Sequence, residues 1–253
     1  MELTIVIICR NEIATIAATI QAALLVTPHI IVVDSGSTDG TLTYLQSQPI
    51  TIINTTWQGF GSTKNIGIAA ATTNWILSLD ADEIIDTTLR NTIKNLLPQS
   101  ITTVYKVNFL NYLGNTPIWY GEWSGDWHVR IFNKAVVQWN NATVHETLVY
   151  KQPITTIKLQ GKIHHKTSVS IAAMHTKLNY YALLNAEKYY KNDKKNIGIK
   201  KIVSPLFNFV QNYIVKLGFL DGKLGLQIAL ENALYTYKKY KYVQQLKSTK
   251  AIT

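Results

Sequence analysis

Short apolar runs alternate with helical stretches between residues 3 and 80. Continuous runs rich in β-branched residues occupy 3–8, 30–33 and 75–79, and such runs are typical of strands buried on both faces. After the first run, apolar residues from Ile13 to Leu24 recur at the spacing of one helix face. Because parallel strands require crossover connections, this alternation predicts an α/β domain built around a parallel sheet.

The pattern changes twice further along the chain. Short strands separated by turns are predicted from residue 103 to residue 150, and helices are predicted beyond residue 168. Within 206–217, the apolar side chains keep the i, i+3, i+4 spacing of one helix face. We therefore expect an α/β domain in residues 1–165 and a helical, lysine-rich extension in residues 166–253.

Composition narrows the class of protein. The hydrophobic share of 47% and the charged share of 16% are those of a chain with a folded core. A single cysteine, Cys9, excludes an internal disulfide framework and fits a reducing compartment. The N-terminus lacks the basic region of a signal peptide, and no apolar run reaches the length of about eighteen residues that a membrane span needs. These features predict a cytosolic protein.

Positive charge is concentrated in the C-terminal part of the chain. The formal net charge is +10, yet residues 1–150 are net acidic, and residues 151–253 carry eighteen lysines against four acidic residues. This excess predicts an anionic partner, which could be phospholipid headgroups, nucleic acid or an anionic substrate. The alternative is that the lysines only solvate exposed helix faces.

Two carboxylates directly follow the buried run 75–79. Asp80 and Asp82 are separated by one residue, and the turn that follows can bring them to one side. Carboxylate oxygens are ligands that Mg²⁺ and Mn²⁺ prefer, and a cation held there would neutralise the charge of a bound diphosphate. The alternative for this motif alone is a helix N-terminal cap.

Further polar side chains follow the first two predicted strands. They are Arg10, Asn11 and Glu12 after the first strand, and Asp34 and Ser35 after the second. Because ligands bind beyond the carboxyl ends of parallel strands, these residues predict a nucleotide pocket. The alternative for Asp34 is an Asx turn, followed by a helix N-cap from Ser37 or Thr38. Neither GxGxxG nor GxxxxGK[ST] is present, which argues against Rossmann dinucleotide and P-loop chemistry.

Several segments carry a resemblance to a known family. In chain order, from residue 3 to about residue 165, they are IICRNE, VVDSGSTDGT, GFGSTKN, WILSLDADE, GDWHVRIF and VHE. Together they resemble glycosyltransferase family 2, and more narrowly its bacterial lipopolysaccharide-core β-glucosyltransferase branch. The resemblance implies a GT-A fold, which is a Rossmann-like, parallel-dominated mixed sheet. It also implies inverting transfer from a nucleotide diphosphate sugar, with Mn²⁺ or Mg²⁺ as the cofactor.

The resemblance also assigns roles to individual residues. It implies that Lys64 approaches the diphosphate or the sugar, and that Asp80 contacts the ribose or the donor sugar. Asp34 would contact uracil, Asp82 would hold the metal together with Asp80, and His145 would add a third metal ligand or an acceptor contact. It also places Asn11 and Glu12 in the nucleotide pocket, to which Arg10 and Ser35 are added because they follow the same two strands.

Inversion requires a general base on the acceptor side of the sugar. Asp126 is the leading candidate, since the family carries an acid before an RLF-like strand at this spacing, usually after a proline where this chain has Gly125. Glu122 and Glu146 are rival candidates. The alternative for Asp126 is an ion pair with Arg130, which is itself expected in the substrate site.

Aromatic and imidazole side chains add further candidates. Trp119, Trp123 and Trp127 recur every four residues and could form a platform for the acceptor sugar, whereas the alternative is ordinary core packing. We expect one of the three to contact ligand, with Trp123 and Trp127 favoured. Because adjacent residues in a strand point to opposite faces, at most one of His164 and His165 can face the diphosphate.

The apolar stripe within 206–217 also has a second possible role. Lysines accompany it on both sides, and an apolar face with basic edges is typical of a helix that lies in the plane of a membrane surface. The alternative is that the stripe packs onto its own domain. The lysines concerned are Lys200, Lys201, Lys216 and Lys223.

The resemblance to glycosyltransferase family 2 implies the transfer of a hexose, with glucose preferred, from a UDP-sugar to a lipopolysaccharide-core, lipooligosaccharide-core or lipid-linked glycan. Both substrates would bind residues 1–165. We expect a cytoplasmic protein that is peripheral on the inner face of the bacterial cytoplasmic membrane and binds no nucleic acid. The alternatives are a nucleotidyltransferase, which would need a glycine-rich basic loop after the first strand, and a nonenzymatic binder of anionic surfaces or nucleic acid.

Overall fold

Four parallel strands form one half of the sheet in the computed structural model, which describes residues 1–141, 146–193 and 195–250. In the order in which they pair, these strands are β3, β2, β1 and β4. The strands predicted at residues 3–8, 30–33 and 75–79 are thereby confirmed. Their bounds are Leu3–Cys9 for β1, Ile30–Asp34 for β2, Thr51–Asn54 for β3 and Trp75–Asp80 for β4.

Antiparallel strands extend the sheet beyond β4. The order continues through β8, β6 and β11 to β5, while β7 pairs with the end of β6, and β9 and β10 form a separate two-stranded sheet. The bounds are Glu83–Ile85 for β5, Thr103–Leu113 for β6, Thr116–Ile118 for β7, Asp126–Asn133 for β8, Val137–Trp139 for β9, Leu148–Tyr150 for β10 and Thr155–Ser168 for β11.

Helices cover both faces of the parallel strands. Alternate residues of a strand point to opposite faces, and apolar residues occupy both faces here, so each face needs a packing partner. Ile5 and Ile7 of β1 pack in one apolar cluster with Ile20, whereas Val6 packs in a second cluster with Ile68. These helical partners come from α1 and α3. The helices of this region are α1 (Ile16–Leu24), α2 (Thr41–Gln46), α3 (Phe60–Ala70) and α4 (Thr87–Lys94).

The C-terminal part is helical, as predicted, but its segments differ from the expected pattern. The stripe expected over 206–217 lies partly in α6, which ends at Phe209, and partly in a π-helical segment, Val210–Val215. A short 3₁₀ turn, Gly218–Asp221, follows. None of the described helices combines the length and the apolar character that a membrane span requires. The long helices are α5 (Ile171–Lys191), α6 (Ile197–Phe209) and α7 (Gly222–Lys250).

The chain divides into two compact units. The first contains Met1–Phe109 and Gly125–His165, and the second contains Leu110–Ser124 and the chain from Lys166 onward. The second unit therefore includes residues 110–124, which the sequence had placed in the N-terminal domain, because β7 and the turn after it pair within that unit. The predicted class is confirmed: a mixed α/β sheet with helices at the C-terminus.

Candidate active site

The carboxyl ends of β1, β2 and β4 meet at one edge of the sheet in the first unit. Strand register places Asp34 opposite Cys9 and Asp80 opposite Ile8, so the two aspartates flank the end of β1. Glu12, in the loop after β1, has its pKa raised by burial and by the nearby negative charges of Asp82, Asp39 and Asp80. The expected convergence of carboxylates at this edge is therefore present.

Asp34 builds the loop that follows β2. Its carboxylate is buried; Oδ1 accepts hydrogen bonds from the backbone N–H groups of Gly36 and Ser37, at 3.0 and 2.9 Å. Oδ2 accepts from the Ser37 hydroxyl and from the Cys9 thiol. A carboxylate has about four acceptor positions, so four donors within the protein account for all of them. The geometry is that of the Asx turn, and contact of Asp34 with uracil stays a prediction that requires one donor to leave.

The helix cap that follows this turn differs from the expected one. The N-cap residue of α2 is Gly40, at φ 96°, and neither Ser37 nor Thr38 caps the helix. Asp39 instead accepts a hydrogen bond from the Thr41 N–H at 3.0 Å. A glycine is favoured at this position because L-residues with a side chain rarely adopt positive φ.

Asn11 joins the loop after β1 to the loop after β2. Its backbone N–H donates to the Ser37 hydroxyl at 2.8 Å, and its side-chain oxygen accepts from the Thr38 N–H at 2.8 Å. The Glu12 N–H donates to the Thr41 hydroxyl at 2.9 Å. These contacts fix the rim of the predicted nucleotide pocket. Ser35, on the same rim, has a buried hydroxyl with no hydrogen-bond partner within the described part of the chain, and Arg10 is exposed.

Lys64 is a buried cation held between two carboxylates. Only 1% of its side chain is exposed, and its Nζ lies 3.1 Å from Asp80 Oδ1 and 2.8 Å from Glu146 Oε1. The same Nζ stands 4.6 Å from the centre of the Trp139 ring. A buried ammonium needs such partners, since an unpaired charge is costly to remove from water.

The GFGSTKN segment holds Lys64 in place through the start of α3. The Asn65 side chain donates to the Trp139 carbonyl at 2.8 Å and accepts from the Trp139 N–H at 3.1 Å. A Cβ at Gly61 would stand 1.8 Å from the Asn140 carbonyl oxygen, so only glycine allows this close approach. The motif therefore seats α3 directly against the chain that follows β9.

Arg130 forms a second buried ion pair beside Asp80. Its guanidinium contacts Glu83 Oε1 and lies 3.8 Å from Asp80 Oδ2, and it stacks 5.0 Å from the centre of the Phe109 ring. Glu83 is 1% exposed, and its other oxygen accepts the Asp80 N–H at 3.0 Å. Glu83 belongs to the WILSLDADE segment, yet the sequence assigned it no role.

The electrostatics of this cluster separate the two neighbouring acids. Burial alone would raise the pKa of Asp80, but the positive charges of Lys64 and Arg130 outweigh it and lower that pKa. Burial raises the pKa of Glu83, and repulsion by Asp80 adds to this increase, although Arg130 opposes it. Asp80 is therefore the more acidic carboxyl group of the two.

Asp82 has a histidine as its neighbour. Its Oδ2 lies 3.4 Å from His165 Nε2, and strand register pairs His165 with Glu83. Burial opposes protonation of His165, but the hydrogen bond and the charge of Asp82 raise its pKa overall. His164, the next residue in β11, pairs with Ile84 instead, and burial lowers its pKa.

The side chains near Asp82 can be compared with the ligands that the predicted metal site requires. Among residues 1–141, 146–193 and 195–250, no three His, Cys, Asp or Glu side chains are grouped as metal ligands. His145, the expected third ligand, lies outside the described residues. A magnesium site commonly uses one or two carboxylates together with substrate phosphates and water. Asp82 and Asp80 are therefore the two carboxylates among the described residues that could hold a cation, which would complete its ligand shell with a diphosphate and water.

A cavity of about 470 Å³ adjoins Lys64 and Arg130 within the first unit. Its volume lies in the usual range for a small-molecule site. The aromatic side chain of Trp127 borders it, and the Lys158 ammonium stands 4.7 Å from the centre of that ring. The cavity is lined by Lys64, Asp80, Lys106, Trp127, His128, Val129, Arg130, Trp139, Glu146, Thr147, Leu148 and Tyr150.

Asp126, the expected general base, begins β8 beside this cavity. Its Oδ1 lies 2.5 Å from Nε2 of His128, a cavity-lining residue on the same face of the strand. Gly125, which replaces the proline of the family, adopts φ 64°, a conformation that proline cannot reach. The side chain of Asp126 is 33% exposed, so it can reach solvent or a ligand.

The other candidate bases and platform residues have different surroundings. Glu146 pairs with Lys64, so it serves to hold that cation. Glu122 belongs to the second unit, where it accepts a hydrogen bond from Asn212 at 3.4 Å. Trp123 also belongs to the second unit and packs in an apolar cluster that contains Met174. Catalytic and binding roles for these residues stay predictions.

Comparison with known proteins identifies the class that this fold and site represent. The family model "Glycosyl transferase family 2" matches residues 4–172, which is more than half of the chain. The chain therefore belongs to glycosyltransferase family 2, and the prediction of a glycosyltransferase is confirmed at that level.

Individual relatives share only low sequence identity with the chain. The chain is 27% identical over 261 residues to the lipopolysaccharide core biosynthesis glycosyltransferase LpsC of Rhizobium meliloti (strain 1021), covering 99% of this chain and 95% of that protein. It is 24% identical over 258 residues to the uncharacterized glycosyltransferase RP128 of Rickettsia prowazekii (strain Madrid E), covering 95% and 85% respectively.

The structural comparison supports the fold. The crystal structure of S. aureus TarS 1-349 in complex with UDP has a TM-score of 0.51 and 12% sequence identity, covering 98% of this chain and 92% of that chain. At this level of identity the similarity establishes a common fold, which is the GT-A-like α/β architecture expected from the sequence.

Proposed function

We propose that the first unit transfers a hexose, with glucose preferred, from a UDP-sugar to a glycan acceptor with inversion at the anomeric carbon. The observation that carries this proposal is the cluster of the buried cations Lys64 and Arg130 with the half-buried Asp80 beside the cavity, in a chain of glycosyltransferase family 2. The family favours this reaction over the nucleotidyltransferase and nonenzymatic alternatives.

The donor would lie at the carboxyl edge of the sheet. Lys64 and Arg130 are fixed beside the cavity before any ligand arrives, so they would not need to reorganise to face a diphosphate. Because Asp80, Glu83 and Glu146 offset their charges, the bound cation would supply the rest of the positive charge that the diphosphate requires. The loops held together by Asn11 and Asp34 would form the nucleoside side of the pocket. That TarS was crystallised with UDP supports the choice of a uridine nucleotide.

A divalent cation, Mn²⁺ or Mg²⁺, would be held by Asp82 and Asp80, and the diphosphate and water would complete its ligand shell. When bound, the cation supplies a positive charge that stabilises the departing diphosphate. The protein's own contribution is the orientation of these ligands: the Glu83 carboxylate receives the Asp80 N–H, and the register of β11 places His165 beside Asp82.

Asp126 would accept the proton of the acceptor hydroxyl. Its partner His128 lines the cavity, so the Asp126 carboxylate lies within one side-chain contact of it. Trp127, with Lys158 over its ring, offers a flat surface for the acceptor sugar. The similarity to LpsC supports a lipopolysaccharide-core or other lipid-linked acceptor, which would place the protein at the cytoplasmic face of the membrane.

The test is binding and turnover with a panel of UDP-sugars, with and without Mn²⁺ or Mg²⁺. Asp82→Asn should weaken metal-dependent UDP binding, whereas Asp126→Asn should leave UDP binding intact and reduce transfer by about 100-fold or more. Glu2→Gln is the matched control, because Glu2 is an exposed carboxylate at the amino end of β1. Binding of no UDP-sugar, or release of pyrophosphate in place of UDP, would contradict the proposal.

A further inference from the structure

An apolar strip lies on the outside of the second unit along α6 and the π-helical segment. Its central members, Ile202, Leu206 and Phe207, are 71%, 65% and 66% exposed. The strip follows the helical i, i+3, i+4 spacing, so its members lie on one face. We define it as Ile199, Ile202, Val203, Leu206, Phe207, Val210 and Ile214.

Two asparagines of the same segment, Asn208 and Asn212, turn side-chain oxygens toward the protein interior. Asn212 is 4% exposed and donates to Glu122, whose pKa is raised by its burial. Asn208 and Asn212 each have a buried side-chain oxygen without a hydrogen-bond partner in the described part of the chain. A helix on the surface of a protein in water has the opposite arrangement, with its apolar side inward. This inversion indicates that the outer face is suited to an apolar medium.

Aromatic side chains extend the exposed apolar surface at the end of this segment. The Asp221 carboxylate accepts the backbone N–H groups of Trp119 and Tyr120, at 3.2 and 2.9 Å. Trp119 is 50% exposed, and Phe219 in the 3₁₀ turn is 42% exposed. Tryptophan and tyrosine are the residues enriched where a membrane meets water.

The charge beside the strip is mainly positive. Residues 197–223 contain Lys200, Lys201, Lys216 and Lys223 and one acidic residue, Asp221, whose carboxylate accepts the backbone N–H groups of Trp119 and Tyr120. Two copies of this surface facing each other would bring lysine against lysine, whereas an anionic lipid surface complements it. The charge therefore favours a membrane over a second copy of the chain.

We propose that the apolar strip, with the exposed Trp119 and Phe219, inserts in the plane of a membrane surface that contains anionic phospholipids. The strip would bury its outer face at the boundary between headgroups and acyl chains, and the lysines would contact lipid phosphates. The proposal goes beyond the transferase activity and depends on residues of the second unit alone. The result of a UDP-sugar binding experiment therefore neither supports nor contradicts it.

The experiment is co-sedimentation of the full chain with phosphatidylcholine vesicles, prepared with and without phosphatidylglycerol. Binding is expected only with phosphatidylglycerol, and Lys200→Gln and Lys223→Gln should each weaken it by about five-fold. Ile202→Gln with Phe207→Gln should abolish it. The matched control is Leu183→Gln with Leu230→Gln, two apolar residues of α5 and α7 that are 48% and 52% exposed and lie outside the strip.

Lys200 is half-buried and the other substituted side chains are exposed, so the variants should keep the melting temperature and the UDP affinity of the parent chain. Equal binding to both kinds of vesicle, or equal losses in the strip and control variants, would overturn the proposal. Absence of vesicle binding together with a dimer that Phe207→Gln dissociates in analytical ultracentrifugation would also overturn it, because the strip would then be an interface between copies.

Discussion

Replacement of Lys64 by methionine tests whether the buried cluster depends on this one cation. Methionine keeps most of the apolar stem beside Trp139 and removes only the ammonium, which is the shared partner of Asp80 and Glu146. The side chains of these two acids are 31% and 16% exposed, so water can only partly replace the lost charge.

The expected cost follows from these contacts. Removal of one partner from a buried ion pair destabilises a protein by about 3–5 kcal/mol, because the remaining charge is left uncompensated. Arg130, 3.8 Å from Asp80, still offsets part of that charge. We therefore expect Lys64→Met to lower the free energy of unfolding by about 3 kcal/mol, near the lower end of that range.

A second substitution, Glu146→Gln, measures the interaction between Lys64 and Glu146 when it is made alone and in combination with Lys64→Met. In the Lys64→Met background it removes a carboxylate that has lost its cation, so it should restore stability, whereas alone it should be destabilising. The coupling free energy should be about 1–3 kcal/mol, as for residues in direct contact. Urea unfolding followed by tryptophan fluorescence and circular dichroism measures each variant. Lys94→Met, at an exposed lysine in the last turn of α4, is the control and should change stability by less than about 0.5 kcal/mol.

The pH dependence gives an independent check with a defined sign. The pKa of Asp80 is lowered in the folded protein, so its ionised form contributes stability above its ordinary pKa, and this contribution is lost as the pH falls. Lys64→Met removes most of the electrostatic interaction that lowers the pKa of Asp80. The stability difference between parent and variant should therefore be largest near neutral pH and should narrow in the acid range. A loss below about 1 kcal/mol at neutral pH, which is the value of a surface pair, would refute the reasoning.

Two further predictions concern residues outside this pair. Gly161→Ala should destabilise the protein by more than about 2 kcal/mol in urea unfolding. The reason is that Gly161 has φ 95° and that a Cβ there would stand 2.1 Å from the Leu89 nitrogen. A neutral result would contradict the packing of α4 on β11. Cys9 should react with a thiol reagent such as DTNB only after unfolding, because burial and the neighbouring Asp34 raise the pKa of its thiol; rapid reaction of the native chain would contradict its buried position.

The sheet edge could be predicted because it depends only on local patterns. Buried runs of β-branched residues identified β1, β2 and β4, and the parallel arrangement then placed Asp34 and Asp80 at a common edge. The ion pairs could not be predicted from local patterns. Glu146 lies 82 residues from Lys64, and their contact depends on how α3 meets the chain after β9, which no local pattern encodes. Arg130 reaches Glu83 because the antiparallel β8 is inserted next to β4.

The α6 region shows a further limit of periodicity. A stripe at i, i+3, i+4 spacing establishes that a helix has two faces, but it does not identify the medium that each face contacts. The sequence placed apolar Leu206 and Val210 opposite polar Asn212, and the structure agrees for these three residues. Lys216, expected on the polar face, is exposed, and Phe207, outside the expected stripe, is 66% exposed. Only the contact between Asn212 and Glu122 determines that the polar face is the inner one. An apolar face that is turned outward beside lysines is thus a property of the tertiary structure, and membrane binding tests it directly.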